Sequence, residues 1–184
     1  MLFEQTSIPE VVLITPNRME DERGYFSETF RSDQFEANIG SFAFVQENLS
    51  YSRKAGTVRG LHYQLAPHAQ GKLVSCPAGA LWDVAVDLRH GSPTFGRFVA
   101  AELSDENGRQ LWIPPGFAHG FCTLKPETTI CYKVTAYYKQ EVERGLFWND
   151  PALEITWPTS IAEAVVSDKD KKQPRLNELY ANFA

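Results

Sequence analysis

The sequence predicts an all-β fold, a sandwich or barrel of short strands. Short runs rich in Val, Ile, Phe, Tyr and Thr recur along the whole chain. Turn residues break them at close intervals, a spacing that suits a sandwich or barrel rather than alternating β/α units. Helical periodicity is scarce by comparison.

Taken in order, EVVLIT (10–15), GYFSETF (24–30), FAFVQENLS (42–50), KLVSCP (72–77), LWDVAVDLR (81–89), FGRFVAAELS (95–104), QLWIPP (110–115) and TTICYKVTAYY (128–138) read as strands. Turns are signalled at Asp21–Gly24, Pro77–Gly79, His90–Pro93, Glu106–Gly108 and Pro114–Gly116. Asn107-Gly108, flanked by alternating runs, is the strongest hairpin signal. RSDQFEAN (31–38) reads as a short helix capped by Ser32. The tail over about 160–184 carries mixed helical signals broken at Pro174. With 184 residues and no repeat or linker, the chain is read as one domain.

A net charge of −5 argues against a partner bound by neutralising nucleic-acid phosphates, though not against one small anionic ligand held by local arginines. No basic segment precedes an apolar run at the N-terminus, and no apolar stretch is long enough to span a membrane. Cys76, Cys122 and Cys131 are odd in number and far apart, which reads as buried thiols of a reduced, cytoplasmic protein.

Strand alternation places side chains two apart on one face. Tyr132, Val134, Ala136 and Tyr138 share a face, either as a pocket wall or as core tyrosines with hydroxyls at a rim. Gln46 and Asn48 share one, with Glu47 opposite; Phe26 and Glu28 share another. Such residues suit a flat ring that is stacked and hydrogen-bonded, or an ordinary half-exposed strand. In TVRGLHYQ (57–64), His62 and Gln64 share a face and Arg59 falls on the other. Arg59 and His62 enter one pocket only if the strand bulges, and Gly60 is where a bulge is tolerated. Arg59, His62, Lys72 and Asp83 cluster in successive strands.

Pro114-x-Gly116-x-x-His119 resembles the second motif of cupins, small jelly rolls that often hold a metal. The first cupin motif is incomplete: Gln64 stands where a second histidine belongs, and His68 or Ala69 where a glutamate belongs. A catalytic divalent ion takes about three protein ligands, so metal is the weaker reading and proton transfer the stronger.

The segments DERGYFSETF, QENLSYSRKAGTVRGLHYQ, KLVSCPAGALWDVAVDLR, SPTFGRF, LWIPPGFAHGF and ERGLFWNDPALEITWP together resemble the dTDP-4-dehydrorhamnose 3,5-epimerase family, in order and nearly end to end. The resemblance implies a cupin-type double-stranded β-helix with a few short helices, a homodimer sharing N-terminal strands, and neither metal nor cofactor. Its implied substrate is dTDP-4-dehydro-6-deoxy-D-glucose, epimerised at C3 and C5; an enzyme acting at only one centre is the nearest alternative. A metal-dependent cupin and a non-catalytic sugar-nucleotide binder are the more distant ones.

Carried over by position, His62 is the implied proton acceptor, Asp170 the carboxylate that orients it, Tyr132 the opposing acid, and Lys72 the cation near the C4 oxygen. Implied nucleotide contacts are Arg23, Phe26, Glu28, Gln46, Glu47, Asn48, Arg59, His119, Glu143 and Lys169, with Tyr138 stacked on the thymine. Glu47 stands where the family commonly has aspartate, and NRMED replaces its usual approach to the arginine. The chemistry suits the residues: inversion beside a ketone needs a base on one face and an acid on the other. Histidine titrates near neutral pH, and arginines fit a diphosphate.

Overall fold

Two antiparallel sheets face one another as a jelly roll of the cupin type, in a computed structural model that describes residues 1–182. The elements are β1 (Leu2–Gln5), β2 (Val12–Thr15), β3 (Arg18–Asp21), β4 (Gly24–Ser27), α1 (Ser32–Asn38), β5 (Gln46–Ser52), β6 (Thr57–Gln64) and β7 (Lys72–Ala78). Then follow β8 (Ala80–Asp87), β9 (Phe98–Ser104), β10 (Gln110–Ile113), β11 (Phe117–Thr123), β12 (Thr128–Val134), β13 (Glu143–Gly145) and β14 (Val165–Val166). One sheet runs β1-β2-β10-β7-β12-β5 and the other β13-β6-β11-β8-β9. β14 adds to β6 as a parallel partner, and β3 with β4 forms a separate hairpin.

Strand alternation sorts the apolar residues into three layers. Between the sheets, Val74, Leu81, Ala85, Leu111, Phe117 and Ile130 pack together at one end of the sandwich. The outer face of the five-stranded sheet, with Leu61, Val84 and Ala118, is covered by Leu146, Trp148, Trp157 and Leu179 of the C-terminal segment. The outer face of the six-stranded sheet is covered at Trp112 by Phe35 of α1 and by Phe42 and Phe44. A jelly roll thus buries both outer faces in part, and the polar side chains left inside gather at the other end of the sandwich.

Several sequence expectations are corrected. The run from Phe42 enters β5 only at Gln46, because Phe42 and Phe44 serve as cover over Trp112 rather than as strand. Ser32 lies inside α1; Arg31 is the N-cap and Asp33 accepts the hydrogen bond of the Gln34 N–H. Asn107-Gly108 does not make a hairpin, since β9 pairs with β8 whereas β10 pairs with β2 and β7. The turn there passes the chain between sheets, and the Asn107 amide bonds the backbone of Ser104, Arg109 and Glu102. β12 ends at Val134, which leaves Tyr138 outside the strand. β1, β3, β11, β13 and β14 are strands the apolar runs do not announce, and 3₁₀ turns occupy Asp170–Lys172 and Leu176–Asn182 of the tail.

The bulge expected at Gly60 is present. On β11, His119 opposes His62 and Phe121 opposes Arg59, so two steps along β11 match three along β6. Val58 and Leu61 consequently both face the outer layer, while Arg59 and His62 both reach the interior cavity. Gly60 has φ +121°, and a Cβ there would lie 2.6 Å from Gly120 Cα and 2.7 Å from His119 O. Backbone cannot retreat as a flexible side chain can, so a methyl group must push β6 and β11 apart. Gly60→Ala is expected to destabilise the protein by about 2–3 kcal/mol, the scale of a strained backbone position. Urea denaturation would show it, and an unchanged midpoint would refute the packing described.

Candidate active site

A cavity of about 630 Å³ opens at the polar end of the sandwich, within the usual range for a small-molecule site. β6 and β11 supply one wall, with His62 and His119 directly opposed in register. β7, β12 and β5 supply the other, through Lys72, Tyr132, Gln46 and Asn48. His62 and Tyr132 thus belong to different sheets and approach the cavity from opposite sides.

Asp170 reaches this site because of how β6 shares its outer edge. β14 pairs with Thr57 and Val58, and β13 pairs with His62, Tyr63 and Gln64. Between them the chain leaving β14 turns at Ser167, whose hydroxyl accepts the Asp170 N–H at 3.1 Å. The Asp170 carboxylate then lies over the bulge: Oδ1 is 2.7 Å from His62 Nε2, and Oδ2 accepts the Gly60 N–H at 3.3 Å. Burial alone pushes this carboxyl up, but the His62 contact and the Gly60 and Ser167 hydrogen bonds prevail and hold it below the usual aspartate value. An ionised Asp170 can only accept, so the His62 tautomer that fits this contact carries its hydrogen on Nε2 and its lone pair on Nδ1.

A second pair lies deeper. His119 Nε2 is 2.7 Å from Oδ1 of Asp83, a residue with no exposed surface. Burial lowers the pKa of His119 against the pull of Asp83. Asp83 Oδ2 has no hydrogen-bond partner among the described residues. Lys72 is buried beside it, with Nζ 3.3 Å from His62 O. Burial brings the lysine down to about 8, while Asp83 and Glu143 pull the other way. The Tyr132 phenol is pushed up, chiefly by burial, and its ring centroid lies 6.2 Å from that of His119.

The mouth is polar. Gln46 donates to Asn48 at 2.8 Å, and Arg59 reaches Ser52 Oγ and Tyr51 O across the gap between the sheets. The Tyr138 hydroxyl donates to Glu143 Oε2 at 3.0 Å, and Lys169 Nζ sits 2.6 Å from the same oxygen. Burial would raise Glu143, but Lys169 and Tyr138 hold it lower.

His62, Lys72, Tyr132, Asp170, Gln46, Asn48, Arg59, His119, Tyr138, Glu143 and Lys169 are therefore brought together. Four expected residues are not. Glu47 points to the outer face and pairs with Lys133 at 2.8 Å, as alternation along β5 requires. Arg23, Phe26 and Glu28 belong to the separate β3–β4 hairpin and the segment after it. Arg23 is 85% exposed at its side chain and bound to Asp21, Phe26 is 67% exposed, and Glu28 faces Arg31 at 3.9 Å. Ser50, Gln70, Val166 and Ser167 line the cavity without any sequence signal; only the alternation of β5 could have pointed to Ser50. Among the described residues, no cluster of three His, Cys, Asp or Glu side chains is placed to hold a metal ion.

A family model described as dTDP-4-dehydrorhamnose 3,5-epimerase matches residues 5–178. The chain belongs to this family. A dTDP-4-dehydrorhamnose 3,5-epimerase of Sinorhizobium fredii is 58% identical over all of this chain and 93% of its own. One of Shigella flexneri is 51% identical over 90% of this chain and 91% of its own. Among solved structures, the Legionella pneumophila epimerase in complex with dTDP-4-keto-L-rhamnose superposes with a TM-score of 0.93 at 46% identity, covering 99% of this chain and 96% of that one. The Bacillus anthracis epimerase with TDP and PPi bound gives 0.92 at 44% identity, over 95% and 99%. The matched residues 5–178 include all those that line the cavity, from Gln46 to Asp170.

Because Asp170 has a folded pKa below its ordinary 3.8, it stabilises the fold above that pH, and the contribution is lost as pH falls through the folded value. Asp170→Asn is expected to have a lower urea midpoint than wild type at neutral pH, the two converging in acid. A gap that stays constant with pH would contradict the assigned ionisation.

Proposed function

We propose that the protein epimerises dTDP-4-dehydro-6-deoxy-D-glucose at C3 and C5 to dTDP-4-dehydro-L-rhamnose, a step of dTDP-L-rhamnose biosynthesis. The observation that carries this reading is the His62–Asp170 pair on one sheet, across the cavity from Tyr132 and Lys72 on the other. A ketone with acidic C–H bonds on both sides is what such a cavity suits.

In this reading Nδ1 of His62 removes the proton from carbon beside the C4 ketone. The electron pair moves onto the C4 oxygen, and the enolate is favoured by the Lys72 ammonium, a fixed cation that the neutral ketone needs less. Tyr132 then returns a proton to the same carbon from the opposite face, which inverts it. Asp170 keeps the His62 ring oriented and offsets the imidazolium charge once the proton arrives. The nucleotide would lie at the mouth, with the thymine on Tyr138 and the diphosphate near Arg59 and Lys169. His119 would touch the substrate from within, and Gln46, Asn48 and Glu143 would bound the mouth.

The double activity is favoured over a single one by the relatives: those at 58% and 51% identity are named 3,5-epimerases, whereas a 3-epimerase of Streptomyces niveus is 40% identical. The metal-dependent reading is disfavoured by Gln64, whose amide is engaged by backbone groups. We also propose a homodimer in which the β3–β4 hairpin and the residue after it serve the partner's cavity with Arg23, Phe26 and Glu28. The exposure of Met19, Tyr25 and Phe26 on that hairpin supports it. Glu47 would then contact ligand through its backbone. A cytoplasmic location suits its three free thiols, and no helix among the described residues is long and apolar enough to cross a membrane.

Incubation with dTDP-4-dehydro-6-deoxyglucose in D₂O, followed by NMR, tests the reading. Deuterium at both C3 and C5 with inversion is expected. One labelled centre would make it a mono-epimerase, and none would reject the proposal. Tyr132→Phe is expected to slow inversion far more than wash-out of the substrate proton; equal loss of both would remove Tyr132 from the role of acid.

A further inference from the structure

We propose that Gln64, with Gln46 and Gln70, is a positioning residue that fixes the backbone of Tyr138 and so pre-forms the nucleotide end of the cavity. This rests on the reading of Tyr138 as the nucleotide's stacking surface. β12 ends at Val134, and residues 135–139 continue along the rim without a strand neighbour. Their backbone groups are taken up mostly by glutamine side chains. Gln70 Nε2 donates to Ala136 O at 2.8 Å, and Gln64 Nε2 donates to Tyr137 O at 3.2 Å. The Tyr138 N–H donates to Gln46 Oε1 at 3.0 Å, and the Lys139 N–H to Gln64 Oε1 at 2.7 Å.

Gln64 is buried, and its Nε2 also donates to His68 O at 2.7 Å. Both amide hydrogens and the carbonyl are therefore in use. The assignment of its oxygen and nitrogen follows from the partners, because two of them are carbonyls that only accept and one is an N–H that only donates. No other side chain of that size meets this demand. A glutamate would face two carbonyl oxygens, and a leucine would leave three half-buried backbone groups without this partner. Gln64 thus holds the residues on both sides of Tyr138, and Gln46 holds Tyr138 itself. The ring is left to hang from a fixed backbone, its hydroxyl on Glu143. A wall ordered before the ligand arrives lowers the ordering entropy of binding.

The test is a double-mutant cycle on dTDP affinity, measured by calorimetry in wild type, Gln64→Leu, Tyr138→Ala and the double variant. Gln64→Leu is expected to weaken dTDP about tenfold, the scale of stranded buried polar groups. In the Tyr138→Ala background the same change should cost less than about twofold, because Gln64 then has no ring to position. In turnover the loss should fall mainly on KM, with a smaller fall in kcat. An equal loss in both backgrounds, or no loss in either, would overturn the proposal. Should Gln64→Leu fail to fold, Gln70→Leu removes a single bond at the half-buried edge and enters the same cycle, with a few-fold effect expected and the same outcomes decisive. If Tyr138→Ala binds dTDP as tightly as wild type, the stacking reading fails by itself. Amide exchange then decides: faster exchange at Tyr138 and Lys139 in Gln64→Leu sustains the positioning role, and unchanged rates overturn it.

Discussion

The Asp170 carboxylate holds the site together by bonding two groups of β6 at once, the Gly60 N–H and the His62 ring. Its backbone N–H is in turn fixed by Ser167, one residue beyond β14. The bulge frees the Gly60 N–H from the ladder with β11, and the carboxylate takes it up. The same bulge turns Arg59 and His62 toward one cavity. A strand with regular alternation would have sent Arg59 under the C-terminal cover, beside Leu61 and Trp157, and turned Val58 inward. An unpaired guanidinium there would be costly. The C-terminal segment is thus both the cover of an outer hydrophobic layer and the carrier of the carboxylate that bonds the His62 ring.

The interior of the cavity is tuned by burial more than by net charge. Lys72 and His119 are both pushed toward their neutral forms by loss of water, and Asp83 opposes the shift in each. Tyr132 is driven the same way, toward the neutral phenol that its proposed role as acid requires. Outside, Glu143 and Lys169 remain charged and paired at the mouth, where solvent reaches them. One site therefore combines a neutral phenol with a lysine that is still cationic at neutral pH and an ionised Asp170, and it sets a further ion pair at the mouth.

Much of this was legible in the sequence, though unevenly. Gly60 between Arg59 and His62 announced a bend, because alternation alone cannot put both on one face. Gln64 in place of a second histidine argued against a metal, and its amide is taken up by the backbone of His68, Tyr137 and Lys139. The partnership of His62 with Asp170 spans 108 positions and has no local pattern, so only resemblance to a family supplied it. Tyr138 was read as part of β12, but alternation ceases once the backbone is bonded to glutamine side chains instead of a neighbouring strand. Asn107-Gly108 carries the chemistry of a hairpin turn, yet the strands it joins lie in different sheets. Turn chemistry is local, whereas the choice of strand partner depends on which faces must be buried.

In the proposed mechanism Asp170 makes His62 a base by holding its ring and tautomer. The most direct measurement is the rate of substrate proton wash-out into D₂O by Asp170→Asn, taken at saturating substrate beside wild type. Asparagine keeps the shape but offers no charge and a different donor pattern. Wash-out is expected to fall by about a hundredfold or more, as for other oriented histidines, with dTDP affinity preserved. Wash-out near the wild-type rate would remove Asp170 from that role.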